Sequence, residues 1–310
     1  MFLGMKTRKS FNWALYETLR GVEREAAFHL LKWAVDQQPP PWDDHWKQVG
    51  RKPYSAKALV VVTIWQEIEG KPERAYTADL ERDKAHLQLL GLAHAPHRTA
   101  LYRTRKRLSE EYLSRLNQQV LGRFKPPTQL GADATGLRQS KRDCSWSSTY
   151  HNGQRDYTKV HGLFDLETKT FEAFTITGGT QRECSTLEGL LGGLRDVEFL
   201  TADSGYLSKK NCNAVDDRGG VPFIKPKRNV RANARGSFAW MRMVHLFREK
   251  PRVFFRVYGL RNRVEAGWHS LKSITGDFLR GRTFQTAMAE VWSKIVCYNL
   301  IWTIRGRYGF

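Results

Sequence analysis

Three acidic side chains of this 310-residue chain stand apart by the company they keep. Asp133 lies in GADATGL, among small and apolar residues, where a carboxylate is unfavourable without a partner. Asp203 lies in FLTADSGY, at the end of a run that reads as a short buried strand. The C-terminal ends of strands are where α/β sheets place their sites, although Asp-Ser-Gly is equally a turn or helix-cap signature. Glu265 lies in YGLRNRVEAGWHSLK, one acid among Arg261, Arg263, His269 and Lys272. If that stretch is helical, at about 100° per residue, Tyr258, Arg261, Glu265 and Lys272 fall within roughly 60° of one another. His269 lies beside them and Arg263 points elsewhere. Such a stripe also suits an exposed face with an i,i+4 ion pair, but Arg before Glu is the weaker order for helix support. Three carboxylates brought together would supply the hard oxygen donors that a divalent cation such as Mg²⁺ prefers.

The spacing Tyr258-x2-Arg261-x3-Glu265-x6-Lys272 resembles the Y-R-E-K signature of insertion-sequence DDE transposases, in the insertion sequence 4-like group. Asp133-Ala-Thr-Gly upstream and Ala-Asp203-Ser-Gly-Tyr between are similar to that family's two aspartate blocks, in the same order and setting. The run from Tyr206 through NCNAVDDRGGVPFIKPKRN resembles the family's continuation. The likeness covers residues 129–282; before them it is limited to a helical layout with one basic helix. It implies an α/β, RNase H-like catalytic domain, a mixed central sheet flanked by helices. The first Asp belongs on the first strand, the second just after the fourth, and the Glu on a late helix.

The resemblance further implies that Asp133, Asp203 and Glu265 are catalytic and are the ligands of a two-metal Mg²⁺ (or Mn²⁺) site. Tyr258, Arg261 and Lys272 would hold DNA phosphates, a positioning role. The implied reaction is metal-dependent hydrolysis of phosphodiester bonds at transposon ends, then strand transfer into target DNA. No covalent protein–DNA intermediate is needed, and the chain shows no convincing Ser, Cys or Tyr nucleophile arrangement. The implied partners are double-stranded DNA, both terminal inverted repeats and target, and a second copy in a homodimer on paired ends. Relatives that excise through a DNA hairpin stack an extruded base on an aromatic ring. Trp240 and Trp268 are the candidates here, against the plainer reading of tryptophan as core. Two other functions fit the same residues: a catalytically silent DNA-binding regulator, and an RNase H-like nuclease that cuts without joining strands.

The elements that must position these residues divide the chain at about residue 128. Residues 1–128 read as an all-helical DNA-binding domain. Apolar residues recur at helical spacing up to Pro39, Pro40 and Pro41, and again from a candidate cap at Ser55 to Gly70. A third helix is expected over about 72–90, and a fourth, basic one from about 97 through RTALYRTRKRLSEEYLSRLNQQVL. Arg98, Arg103, Arg105, Lys106 and Arg107 on it are candidate DNA contacts, or else a solvated basic face. Residues 129–310 read as three strands with a hairpin turn at 166–169, then helix (182–196), strand, helix (208–219) and strand. A short basic insertion follows near 227–257, and helices return from about 261 to the end.

Charge supports the same partner. The formal net charge is +20, and residues 225–282 alone hold 15 basic and 3 acidic side chains. A surface of that sign fits a polyanion whose counterions are released on binding, most simply nucleic acid. Hydrophobic content of 41% and aromatic content of 12% indicate a folded globular protein. Cys144, Cys184, Cys212 and Cys297 form no C-x-x-C pair, so no zinc site or disulfide framework is indicated and reduced thiols are expected. MFLGMKTRKS lacks the apolar core of a signal peptide, and the apolar run at 287–304 is broken by Glu290 and Lys294. The expected setting is therefore the prokaryotic cytoplasm, nucleoid-associated when on DNA, with no membrane partner.

Overall fold

The computed structural model describes residues 13–43, 53–122, 125–138, 157–178, 181–227, 229–233 and 235–307. Cys144 and the first ten residues lie outside them. Chain order begins with helices α1 (Trp13–Asp36), α2 (Ala56–Glu69), α3 (Glu73–Arg82), α4 (Lys84–Leu89), α5 (Arg98–Arg107) and α6 (Glu110–Leu121). α1 stops before the three prolines. α2 ends on Gly70 in the left-handed region (φ 63°), as its sequence predicts, but Ser55 makes no side-chain cap bond. The expected third and fourth helices are each split in two. Asp83 leaves helical geometry (φ −83°, ψ 81°), and its carboxylate accepts from the His86 amide at 3.1 Å to start α4. Ser109 does the same for α6, its Oγ accepting from the Tyr112 amide at 3.2 Å.

The sheet contains β1 (Gln129–Arg138), β2 (Tyr157–Asp165), β3 (Thr170–Gly178), β4 (Phe199–Ala202) and β5 (Val221–Ile224) in the order β3-β2-β1-β4-β5. The β1–β2 and β2–β3 pairs are antiparallel, and β1–β4 and β4–β5 are parallel. This is the mixed, RNase H-like sheet that was expected, with β1 in the centre. Lys169 closes the β2–β3 hairpin at positive φ (62°). The helix expected over 182–196 shrinks to a 3₁₀ turn (Glu183–Ser185) and the single turn α7 (Leu187–Leu190) before the Gly192–Gly193 pair. α8 (Lys209–Asp216) is capped by Ser208, whose Oγ accepts from the Asn211 amide at 3.0 Å.

The basic insertion is helical, with α9 (Phe238–Glu249) and α10 (Pro251–Tyr258), so helices return well before residue 261. A 3₁₀ turn (Gly259–Arg261) leads into α11 (Asn262–Thr275), and α12 (Phe284–Arg307) ends the described chain. α12 is buried along most of its length and packs against α1, α2, α5, α6, α11 and β3. The N-terminal helices and the sheet therefore share one core around it. Polar bonds hold that packing: Asn299 of α12 donates to the Phe171 carbonyl and to Asn117 of α6, and accepts from the Phe171 amide. Buried Glu67 of α2 meets Lys294 (3.2 Å), Arg105 (3.2 Å) and Arg280 (3.1 Å). No helix among the described residues is long and apolar enough to cross a membrane.

Candidate active site

Two of the acids are brought together by strand register. In the parallel β1–β4 pair, Ala132 stands opposite Ala202. The next residues are Asp133 and Asp203, so carboxylates 70 positions apart in sequence emerge at the same height on neighbouring segments, roughly 4.8 Å apart in strand spacing. β4 ends there while β1 runs on to Arg138, so Asp133 sits where β1 loses its neighbour on one side. Asp203 turns the chain (φ −72°, ψ 165°), and its carboxylate accepts from the Ser204 amide at 2.6 Å.

The third acid comes from α11, which lies across the sheet face that carries Asp133. Strand alternation puts Gly131, Asp133 and its pairing partner Gly162 on that face. Both glycines are required by close approach: a Cβ on Gly131 would stand 2.3 Å from Val264, and one on Gly162 would stand 2.6 Å from Trp268. With the helix this close, Glu265 in its first turn reaches the site, where an acid is also favoured by the helix dipole.

Arg261 joins the acids. Its guanidinium lies 2.6 Å from Glu265 and 3.7 Å from Asp133, and its Nε is buried without a hydrogen-bond partner. Tyr258 completes the group, its ring 5.8 Å from the Arg261 guanidinium and stacked at 5.9 Å on Phe254. Burial pushes the Asp133 carboxyl up to about 6; Arg261 opposes that shift, while Glu265 and Glu183 add to it. Burial also raises the Tyr258 hydroxyl. Arg261 is raised as well: burial works against its charge, and Tyr258, Glu265, Asp133 and Asp203 outweigh it.

The stripe expected over 258–272 is therefore interrupted. Tyr258 ends one helix and Glu265 lies in the first turn of the next, with backbone angles staying right-handed through the 3₁₀ turn between the two helices. Lys272 is two turns beyond Glu265, and its electrostatic neighbours are Asp277 and Arg138. Trp268 is buried in the core, 4.2 Å from the Phe171 ring, which removes it as a base-stacking candidate. Trp240 is half-buried in the first turn of α9, its indole donating to the Arg231 carbonyl at 3.0 Å. On α5, Arg98, Arg103, Lys106 and Arg107 are exposed. Arg105 departs from the expectation of a surface contact: it is 3% exposed and bonded to Glu67, Glu73 and Gln66.

Glu183 and Tyr206, which no sequence motif marks as site residues, are electrostatic neighbours of Asp133, and Lys159 pairs with Glu183 at 2.8 Å. As placed, no group of three His, Cys, Asp or Glu among the described residues could hold a metal ion. The positive charge between Asp133 and Glu265 is supplied instead by Arg261.

Residues 125–300, more than half of the chain, match the family described as "Transposase DDE domain". The chain belongs to this family. It is also 29% identical over 132 residues to a probable transposase for insertion sequence element ISA1214 from Archaeoglobus fulgidus. That match covers 41% of this chain and 39% of the relative, so the chain spans about two fifths of that protein's length. A piggyBac transposase solved as a synaptic complex with hairpin DNA aligns with a TM-score of 0.43 and 10% identity. The alignment covers 91% of this chain and 72% of that one, and a likeness so loose adds no weight.

Proposed function

We propose that this DDE-family chain is an insertion-sequence transposase that cuts phosphodiester bonds at the element's ends and joins those ends to target DNA. The observation that carries this reading is the shared register of Asp133 and Asp203 with Glu265 leaning in from α11. The donor set fits Mg²⁺ or Mn²⁺: all three are hard carboxylate oxygens, and a guanidinium already occupies a cation's electrostatic place between two of them. In this reading Asp133, Asp203 and Glu265 are the metal ligands. A bound divalent pair would activate the attacking water or 3′-hydroxyl and stabilise the leaving oxygen.

The chain's own groups do the rest. Arg261, once a cation takes its place between the carboxylates, and Tyr258 beside it would hold the phosphate next to the cut. Lys272 at the far end of α11 holds the strand further along. Burial of Asp133 excludes water from one side of the site and makes its charge depend on a nearby cation. The basic insertion and the exposed cations of α5 supply the DNA surface, with residues 1–128 acting chiefly in binding and Trp240 as a base-stacking candidate. A homodimer would hold two ends together, in the prokaryotic cytoplasm.

A silent DNA-binding regulator is the second reading, favoured by the lack, among the described residues, of three acids already grouped as a metal site. Incubating the full chain with uncut and with pre-cut element ends, each with a target plasmid in Mg²⁺, separates the readings. The proposal expects joined products that vanish with EDTA. Binding without any product would support the regulator, and cutting of uncut ends without joining would support a nuclease.

A further inference from the structure

Glu183 opens the 3₁₀ turn after β3 and approaches the site from the side away from α11. Its ion-pair partner Lys159 (2.8 Å) lies three residues from Gly162 on β2, and so on the opposite sheet face from the α11 contact. The carboxylate nonetheless reaches around the end of β4. A Cβ on Gly205, two residues after Asp203, would stand 2.1 Å from Glu183 Oε2. Glycine at 205 thus makes room for this carboxylate against the backbone that carries Asp203.

The placement is held by a dedicated tie. Asn211, 1% exposed, donates from one side-chain amide to the Cys184 carbonyl (2.9 Å) and to the Tyr206 carbonyl (2.7 Å). That amide pins the turn bearing Glu183 to the turn following Asp203. Tyr206, the last residue of that second turn, is fully buried, with a hydroxyl that has no hydrogen-bond partner. Its electrostatic neighbours are Glu183, Asp133 and Asp203. A buried, unpaired donor costs about 1–3 kcal/mol, which a hydrogen bond to a neighbouring carboxylate or water would relieve. Asp133 thus has Glu265 and Glu183 as acidic neighbours, with Arg261 paired to Asp133 and Glu265 and Lys159 paired to Glu183. Displacing either cation leaves negative charge that a divalent cation would neutralise.

We propose that Glu183 is a fourth carboxylate of the divalent-cation site, held by Lys159 until the cation takes its place. This rests on the reading of Asp133, Asp203 and Glu265 as metal ligands. Tyr206 then donates to a carboxylate or water at the site and fixes its orientation, a positioning role.

Mn²⁺ binding to the full chain, followed by the loss of the free-ion paramagnetic resonance signal, tests this without reference to activity. Glu183→Gln should weaken Mn²⁺ affinity roughly 10- to 100-fold, with the thermal midpoint nearly unchanged. Lys159→Met, which frees the carboxylate, should leave affinity equal or higher. Should Glu183→Gln fail to fold, Gly205→Ala displaces the same carboxylate without removing its charge and should also weaken binding. Wild-type affinity in Glu183→Gln, or in Gly205→Ala if that variant must stand in, overturns the assignment. So does equal weakening by Lys159→Met, which would make the pair structural. Asp203→Ala separates the two levels: if it binds Mn²⁺ as the wild type does, or if the wild type binds none, the metal-site reading itself fails. If Asp203→Ala loses binding while Glu183→Gln keeps it, only the role of Glu183 fails.

Discussion

Arg261 is the residue on which the site's electrostatics turn. It is the cation between Asp133 and Glu265, and of the groups that oppose the upward shift of Asp133 it is the one side chain. Its removal takes away that opposition while burial, Glu265 and Glu183 continue to raise the carboxyl. In metal-free protein, Arg261→Ala should therefore move the Asp133 midpoint further above about 6. A carboxyl-carbon NMR titration reads the shift, and an unchanged or lowered midpoint would contradict the geometry. The three acids stand out in the sequence because each has an odd local setting, an acid among apolar strand residues or one acid in a basic helix, whereas Arg261 and Tyr258 are marked only by the resemblance to the Y-R-E-K signature. Glu183 was not legible. RECSTLEGLLGG reads as the start of an ordinary amphipathic helix, and only the tertiary contact at Gly205 shows where its carboxylate goes.

At the scale of elements, α11 matters most, because its distance from the sheet sets whether Glu265 reaches the aspartates. Gly162 permits that distance. Gly162→Ala would place a methyl 2.6 Å from the Trp268 ring, with the Phe171 ring 3.1 Å away on the same side. The expected cost is about 1–3 kcal/mol, seen as a lower thermal midpoint together with weaker Mn²⁺ binding. A variant as stable as the wild type would show that the close packing is not needed. The strand sequence, the β2–β3 hairpin and the buried α12 followed from alternation and apolar runs. The splits at Asp83 and Ser109 were missed because helical periodicity continues across them. What ends each helix there is a single side chain that starts the next one. The sequence marks the insertion near 227–257 by its charge alone, whereas FAWMRMVHLFRE and PRVFFRVY each have an apolar face that the fold uses.

For the whole molecule, the net charge of +20 and its concentration in residues 225–282 bear on DNA binding, and burial decides which cations take part. Arg103 is exposed on α5, whereas Arg105, two residues on, is enclosed by Glu67, Glu73 and Gln66. Arg103→Ala should lower the slope of log affinity against log salt by about 1 and leave stability alone. Arg105→Ala should instead lower stability by about 3 kcal/mol or more, because it leaves buried Glu67 with fewer partners. Salt-dependent DNA binding and denaturant unfolding distinguish the two, and a stable Arg105→Ala variant would refute the buried role. Cutting is assigned here to the acids joined by the β1–β4 register. Asp203→Asn keeps the size of the side chain and its acceptor for the Ser204 amide while removing the charge. The most direct measurement is Mg²⁺-dependent cleavage of the element's own end sequence by this variant, alongside its affinity for the same DNA. Cleavage should fall by roughly a hundredfold to a thousandfold with affinity retained; wild-type cleavage by Asp203→Asn would rule out a cutting role for this carboxylate.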